Sequence, residues 1–313
     1  MNMQKLRTAV IGAGYLGRFH AQKYAALPAA VLVGVVDVAA ETRERVAAEL
    51  GTEALADYRA LLGRVDAVSI ATPTPQHFEI ASAFLAAGAH VLVEKPISET
   101  VQQARELIDL AARCGRVLQV GHLERFNPGI LALDRVLGVP RFVESHRLAP
   151  FKQRGTDVNV VLDLMIHDID IIQNIVHAPI ATLDAIGTSV FSGGLDIANA
   201  RIRFANGCVA NTTASRVSLK TERKLRVFQD DAYLSLDLQQ KILTVVRKGD
   251  APAEGELPQV RIDEQSFEQG DALRSEIESF LACIAEGKAP LVTGEDGLRA
   301  LETAIRITEQ VIK

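Results

Sequence analysis

The feature that most constrains the fold is a glycine-rich turn close to the start of the chain. The apolar run RTAVIG leads into GAGYLGRFH, so that Gly12, Gly14 and Gly17 follow one another with G-x-G-x-x-G spacing. This spacing suits a strand that turns sharply into a helix, whose first N–H groups are left to bind a phosphate. The next strand-like run, VLVGVVD, ends in Asp37, where a carboxylate can accept hydrogen bonds from ribose hydroxyls. Together these residues predict a dinucleotide site.

An acidic residue at position 37, with no basic residue before Arg43, favours NAD over NADP because a 2′-phosphate would meet like charge. Two further segments, ATPTPQH and EKPIS, follow the next main strands. Ligands of open α/β sheets bind at the carboxyl ends of such strands. We therefore expect NAD to be bound by residues of the glycine turn, Asp37 and these two segments: Gly12, Ala13, Gly14, Tyr15, Leu16, Gly17, Asp37, Thr72, Pro73, Thr74, His77, Glu94 and Lys95.

Two domains are predicted, and 313 residues are enough for two cores. In the first 120 residues, β-branched runs alternate with helical patterns, which indicates an α/β Rossmann domain with a doubly wound parallel sheet. After Gly121, strand-like runs of alternating polarity surround one apolar helix, which indicates an α+β domain with a predominantly antiparallel, open-faced sheet. We place the NAD-binding domain at residues 1–121 and the substrate-binding and oligomerisation domain at residues 122–313. The C-terminal helix can pack back on the first domain.

Charge and cysteine content exclude several classes of protein. The net charge is −5, with 34 basic and 39 acidic residues, so nothing favours a nucleic-acid partner. Three scattered cysteines in no metal-ligand spacing argue against disulfides and against a metal site, and fit a reduced cytoplasm. The longest apolar runs are too short for a membrane span. We expect a cytoplasmic protein with a small-molecule substrate.

The segment VLDLMIHDID, residues 161–170, is an apolar helix with unusually many titratable groups. At about 100° per residue, Asp163, His167 and Asp170 share one face, which we call the polar stripe, while Asp168 points elsewhere. Unpaired burial of such groups is costly, so the stripe must face water, a partner charge or a substrate. We expect the other faces to bury the apolar residues Leu162, Leu164, Ile166 and Ile169 or their neighbours.

Several motifs in the same order resemble the glucose-fructose oxidoreductase, inositol dehydrogenase and MocA family over nearly the whole chain. They are the glycine turn, Glu94-Lys95-Pro96, the stretch GHLERFNP at 121–128 and the polar stripe. The resemblance implies that bound nicotinamide oxidises or reduces a sugar or cyclitol carbon, with Lys95, Asp163 and His167 as the catalytic group. It also implies a homodimer or homotetramer formed through the second-domain sheet.

Within the family, the segment SHRLAPFKQRGTDVNVVLDLMIHDIDII is similar to the UDP-N-acetylglucosamine 3-dehydrogenases. This similarity implies oxidation of C3 of a UDP-N-acetylhexosamine to a 3-keto sugar, feeding amino-sugar synthesis for lipid A or surface polysaccharide. Many relatives have glycines where this chain has residues 156–160, which fits a nucleotide-sugar subgroup better than the free-sugar enzymes. Lys152 and Arg154 are our candidates for the substrate diphosphate, because phosphate recognition uses such donors. Arg125 and Asn127 are further candidates for substrate contact.

The implied chemistry assigns a role to each catalytic residue. Histidine has an ordinary pKa close to neutrality, so His167 suits removal of the hydroxyl proton, with Asp163 holding the ring or contacting the same hydroxyl. Lys95 would stabilise the developing alkoxide, and Lys95 and His167 can exchange the role of base. We interpret His20, His122 and His146 as structural.

Three alternatives remain open: a dehydrogenase of a free sugar or cyclitol, an NAD-dependent glycosidase of the same fold, and a non-catalytic regulator. The joint presence of Lys95, Asp163 and His167 argues against the last.

Overall fold

The computed structural model describes residues 5–151, 158–249, 259–267 and 270–312. The chain divides into two compact units, each with its own sheet. Met1–Leu123 and Asp271–Leu301 form the first unit, and Glu124–Gly270 and Glu302–Lys313 form the second. Each unit is thus built from two separate segments of the sequence. Elements are numbered along the chain.

The first unit contains six parallel strands in the order β3-β2-β1-β4-β5-β6. β4 and β6 are buried at every position, and β1, β2 and β5 are buried over most of their length, as expected for a parallel sheet covered by helices. This confirms the predicted Rossmann fold. The strands are β1 Leu6–Ile11, β2 Ala30–Val36, β3 Glu53–Leu55, β4 Ala67–Ile70, β5 His90–Glu94 and β6 Leu118–Gly121.

Helices cover this sheet, and one of them comes from the end of the chain. The helices are α1 Tyr15–Ala26, α2 Ala40–Leu50, α3 His77–Ala86, α4 Val101–Cys114 and α7 Ala272–Glu286, followed by α8 Gly294–Val311, in which the division between the units falls. Thr100 and Gln103 form a capping box at the start of α4, and the Asp271 side chain accepts from Arg274 N at the start of α7. Ile277 and Phe280 of α7 pack in one core with Tyr24 of α1.

The second unit contains an eight-stranded sheet in the order β14-β13-β12-β11-β7-β10-β9-β8. All neighbouring pairs are antiparallel except β7 and β10, which run parallel. This confirms the predicted, predominantly antiparallel sheet. The elements are α5 Pro128–Leu133, β7 Pro140–Leu148, a π-helical turn Val161–Met165, α6 Ile166–Val176, β8 Ile180–Thr188, β9 Ile197–Phe204, β10 Val209–Ser215, β11 Glu222–Gln229, β12 Ala232–Asp237, β13 Ile242–Lys248 and β14 Val260–Ser266.

Two strands of this sheet have no strand-like sequence. β11 reads ERKLRVFQ, and only Leu225 and Val227 of it are buried, so most of its side chains are polar or exposed. β14 is exposed at every position and pairs only with β13, at the edge of the sheet. Neighbouring strands, rather than their own apolar content, hold both in place. The sequence APAEGELP at 251–258 predicts a hairpin loop, and these residues lie outside the described ones.

One face of the second sheet is buried and the other is open. Ile171, Ile172 and Ile175 of α6 pack against the buried face. On the open face, Phe142 lies 5.6 Å from Phe228 and Phe228 lies 4.8 Å from Tyr233, measured between ring centroids. Across the described parts of the chain, no helix combines the length and the apolar content needed to cross a bilayer.

Candidate active site

The glycine turn has the geometry of a dinucleotide-binding loop. Gly12 has a φ of +89°, and an added Cβ there would lie 2.7 Å from the main chain of Ala71. An added Cβ on Gly17 would lie 1.7 Å from Gly12 O, so this residue allows α1 to pack on β1. At Gly14, by contrast, no atom lies within 4 Å of the added Cβ, and α1 begins here with no side-chain cap. The turn therefore presents open space and a helix N-terminus, which together suit a pyrophosphate.

Asp37 is fixed at the end of β2. One carboxylate oxygen accepts from Ala13 N and the other from Ala39 N, both at 2.9 Å. Arg43 Nη1 donates to the main-chain carbonyls of Asp37 at 3.3 Å and Val38 at 3.2 Å. Although Arg43 is six residues after Asp37 in the sequence, its guanidinium thus lies beside the main chain of Asp37.

The glycine turn and Asp37 line a cavity of about 610 Å³ within the first unit. The Thr72 hydroxyl, another lining group, is buried and has no hydrogen-bond partner among the described residues. An unpaired buried hydroxyl is costly, and a bound ligand can satisfy it. Other lining residues are Ile11, Val36, Val38, Asp57, Pro73 and Gln76. The open space at Gly14, the Asp37 carboxylate and the Thr72 hydroxyl fit NAD.

His77 joins the two loops that follow β4 and β5. Its ring is buried, with Nδ1 2.9 Å from Pro96 O and Nε2 2.8 Å from Thr72 O. Burial lowers the pKa of His77, although both carbonyl contacts raise it. These contacts support a positioning role for His77 within the cofactor-binding group that the sequence predicts.

The Glu94-Lys95-Pro96 motif begins at the last residue of β5, and the carboxylate of Glu94 is buried. Glu94 is buried and accepts from His20 Nε2 at 3.0 Å and from Lys95 N at 3.3 Å. Lys95 is half-buried, and the Lys95–Pro96 peptide bond is cis. His20, interpreted from the sequence as structural, thus contacts the motif directly.

In the second unit, the helix that carries the polar stripe begins with a π-helical turn. Asn159 Oδ1 accepts from Val161 N and Leu162 N, both at 3.0 Å, and so caps the helix. Asp163 and His167 are half-buried. Single π turns inside helices occur often at functional sites. Asn159, in the segment just before this helix, therefore supplies its N-terminal cap.

The polar stripe is only partly as expected. Asp170 is buried and pairs with Arg125 Nη1 at 3.3 Å, so it faces a partner charge. Asp168 does point elsewhere: it is buried and accepts from Arg147 at 2.8 and 3.1 Å. Burial raises the pKa of Asp168, while Arg147 opposes that shift.

The apolar faces of the helix bury two of the four named residues and neighbours of the other two. Leu162 and Leu164 are half-buried instead of buried, because the π turn winds less per residue than an α-helix and shifts the buried face. Ile166 and Ile169 are buried as expected, and Val161 and Met165 are buried with them.

The remaining substrate candidates are placed less favourably. Arg125 is buried at Asp170. Asn127 caps α5 through Gly129 N at 3.0 Å and donates to Leu238 O at 3.1 Å. These contacts support structural roles for both. Lys152 and Arg154 lie outside the described residues.

Sequence reasoning missed Glu276, a fully buried carboxyl in α7 near Glu94 and His20. It also missed Arg147, which is buried between Asp168 and Glu124. A charged residue inside an otherwise apolar face was the only available signal, and the partners lie far away in the sequence.

Comparison with protein families matches both parts of the chain. Residues 6–122 match a family described as "Oxidoreductase family, NAD-binding Rossmann fold". Residues 131–235 match the "GFO/IDH/MocA C-terminal domain".

Curated and solved relatives agree with these matches. UDP-N-acetylglucosamine 3-dehydrogenase of Acidithiobacillus ferrooxidans is 42% identical over 306 residues, 97% of each chain. A solved structure of that enzyme has a TM-score of 0.93 at 41% identity and covers 99% of this chain and 98% of its own. The scyllo-inositol 2-dehydrogenase (NAD(+)) of Bacillus subtilis is 28% identical over 97% of this chain and 93% of its own. A levoglucosan dehydrogenase in complex with NADH shares the fold, with a TM-score of 0.86 at 20% identity, over 99% of this chain and 97% of that one.

Proposed function

Because the chain belongs to the GFO/IDH/MocA family of NAD-binding oxidoreductases, we propose that it oxidises the C3 hydroxyl of a UDP-N-acetylhexosamine to the 3-keto sugar. The observation that carries this proposal is the match along nearly the whole length of both chains to UDP-N-acetylglucosamine 3-dehydrogenase. A 3-keto sugar is a substrate for an aminotransferase, so the product would feed synthesis of 3-amino sugars for lipid A or surface polysaccharide.

The residues of the first unit would hold the cofactor. NAD, when bound, supplies the acceptor for the hydride that leaves the sugar carbon. Asp37 accepts from the ribose hydroxyls, the N-terminus of α1 faces the pyrophosphate, and the Thr72 hydroxyl gains a partner. His77 keeps the loops after β4 and β5 together through its two carbonyl contacts.

Three side chains would act on the sugar hydroxyl group that is oxidised. A ring nitrogen of His167 takes the proton of the sugar hydroxyl, and Asp163, one turn earlier, orients the imidazole. The ammonium group of Lys95 stabilises the negative charge that develops on the oxygen. Lys152 and Arg154 remain our candidates for binding the diphosphate.

We further propose that the chain forms a homodimer or homotetramer through the open face of the second sheet. The aromatic contacts among Phe142, Phe228 and Tyr233 support this, since exposed aromatic side chains are enriched at interfaces. The three free thiols, Cys114, Cys208 and Cys283, support a reducing cytoplasmic setting.

The proposal is tested by following the absorbance of reduced nicotinamide with NAD and a panel of substrates. UDP-N-acetylglucosamine and UDP-N-acetylgalactosamine are compared with free N-acetylglucosamine and myo-inositol. We expect turnover of a UDP-sugar, with a product that has lost two hydrogens by mass spectrometry. Preference for the free sugar or the cyclitol would contradict the substrate class. Release of UDP or sugar without net reduction of NAD would indicate glycosidase chemistry instead.

A further inference from the structure

Three ionisable side chains meet in the core of the first unit. They are His20 of α1, Glu94 at the end of β5 and Glu276 of α7, and each offers a nitrogen or oxygen atom within 4.8 Å of the other two. Their exposed fractions are 0%, 8% and 0%. A net charge on the cluster would be destabilising in such buried surroundings, so the protonation states of the three side chains depend on one another.

Glu94 is the member of the cluster whose carboxyl oxygens have hydrogen-bond donors. It accepts from His20 Nε2 and from the Lys95 main-chain N–H. The space for its carboxyl exists because residue 121 is glycine: an added Cβ there would lie 3.0 Å from both carboxyl oxygens. Lys95 follows Glu94 in the chain, and its main-chain N–H group is one of the two donors to the Glu94 carboxylate.

Glu276 has the opposite environment. Among the described residues, no donor reaches either of its carboxyl oxygens. The nearby Gln119 amide donates, at 3.4 Å, to the main-chain carbonyl of Glu276. Burial and the neighbouring Glu94 raise the pKa of Glu276 well above its usual value.

Two other titratable side chains, Tyr24 and His77, interact electrostatically with the cluster, and each has hydrogen-bond partners outside it. The Tyr24 hydroxyl oxygen lies 2.8 Å from the Ser69 hydroxyl oxygen. Burial and the neighbouring Glu276 raise the pKa of Tyr24, so its phenol is neutral. His77 is held between two main-chain carbonyls. His20 is the side chain that contacts the Glu94 carboxylate.

We propose that Glu276 is a positioning residue that stays a neutral carboxylic acid and, together with His20, fixes the carboxylate of Glu94 and through it Lys95. A neutral acid supplies one hydrogen-bond donor to a cluster that is rich in acceptors. An ionised Glu276 would repel Glu94 and loosen the turn that carries Lys95. Proton transfer is not required of Glu276, since its role is to remain uncharged.

Infrared spectroscopy tests the protonation state without any substrate. At neutral pH the wild-type protein should show the carbonyl stretch of a protonated carboxyl group, and Glu276→Gln should lack it. Glu278→Gln is the matched control, because Glu278 is exposed on the same helix and paired with Arg274 at 2.8 Å. This control should keep the band.

Steady-state kinetics tests the positioning role, and this part rests on the proposed function. Glu276→Ala should lower kcat about tenfold to a hundredfold, as expected when a reacting group is displaced, with little change in KM for NAD. Glu276→Gln should restore most of kcat, because an amide keeps the shape and the donor. Glu94→Gln, the same chemical change inside the same cluster, should remain impaired.

The outcomes separate the alternatives. Absence of the infrared band, or a Glu276→Gln variant as impaired as Glu276→Ala, would show that an ionised carboxylate is needed and overturn the proposal. One equivalent of divalent metal in the purified protein, lost in Glu276→Gln, would overturn it in favour of a metal site. If Glu276→Ala fails to fold, the infrared band and the contrast between Glu276→Gln and Glu94→Gln still decide. Failure of every UDP-sugar assay with the infrared band intact would contradict the proposed substrate and not the protonation state.

Discussion

Replacing Asp37 by serine should reduce the preference of the protein for NAD. The Asp37 carboxylate is held in place by Ala13 N and Ala39 N at 2.9 Å, so it is pre-positioned as an acceptor for the ribose hydroxyls. A hydrogen bond to a charged group contributes about 1.5–3 kcal/mol. The dissociation constant for NAD, measured by isothermal titration calorimetry, should therefore rise about tenfold to 150-fold.

NADP should respond in the opposite direction. The substitution removes the negative charge that would repel a 2′-phosphate, and the Arg43 guanidinium already lies at the carbonyls of Asp37 and Val38. Arginine suits phosphate recognition, so NADP should bind more tightly to Asp37→Ser than to the wild type.

The comparison of both cofactors separates ribose recognition from damage to the glycine turn. Asp37 also holds Ala13, and a loosened turn would weaken NAD and NADP together. Asp57→Ser is the matched control: Asp57 lines the same cavity but caps a short turn through Arg59 N, so this variant should keep the ratio of the two affinities. An unchanged ratio in Asp37→Ser would refute the assigned role.

Other predictions address the catalytic helix, a loop and the buried acid. His167→Asn should keep NAD binding but lower kcat by about 10² to 10⁴; wild-type kcat in that variant, with activity lost in Lys95→Ala, would make Lys95 the base. Asp196→Ala should lower the free energy of unfolding in urea by about 1.5–3 kcal/mol, because its carboxylate binds three consecutive main-chain N–H groups; an unchanged unfolding midpoint would contradict this. Although burial opposes it, the hydrogen bonds from Ser192 and its neighbours lower the pKa of Asp196, so its stabilisation should disappear as the pH falls below about 3.8. Glu276 has a raised pKa, so the folded state binds the extra proton and wild-type stability should fall, by up to about 1.4 kcal/mol per pH unit, as the pH rises above the unfolded value of 4.5. Thermal unfolding of Glu276→Gln across that range should lack this decline.

The first unit could be predicted from sequence because its signals are local. The roles of Gly17 and Asp37 depend on neighbours in one β-α-β unit, and the role of Gly12 depends also on Ala71, which follows β4. Most of the strands are short β-branched runs that alternate with helical patterns, and this alternation, rather than any single run, indicates a parallel sheet. Even so, the position of Arg43 beside Asp37 was not visible, since it depends on how α2 begins.

In the second unit, helical periodicity alone did not predict which side chains share the same surroundings. An α-helical repeat places Asp163, His167 and Asp170 on one face, but Asp163 lies in the π turn, and Asp170 is buried against Arg125 whereas Asp163 and His167 are half-buried. Charged residues separated by many positions pair only after the chain has folded. A pattern within ten residues cannot identify such partners.

The first unit is formed from two segments that are far apart in the sequence, and this has a consequence for synthesis of the chain. The helix α7 completes the core around α1, yet it begins at Ala272, close to the end of the sequence. When a ribosome has produced Met1–Leu123, the sheet strands exist but the surface that later packs against Ile277 and Phe280 is uncovered. Domains usually fold from the N-terminus as they emerge. This one must wait until α7 ends at Glu286, about 160 further residues or about 8 to 33 s at ordinary translation rates, and during that interval its apolar surface is available to chaperones.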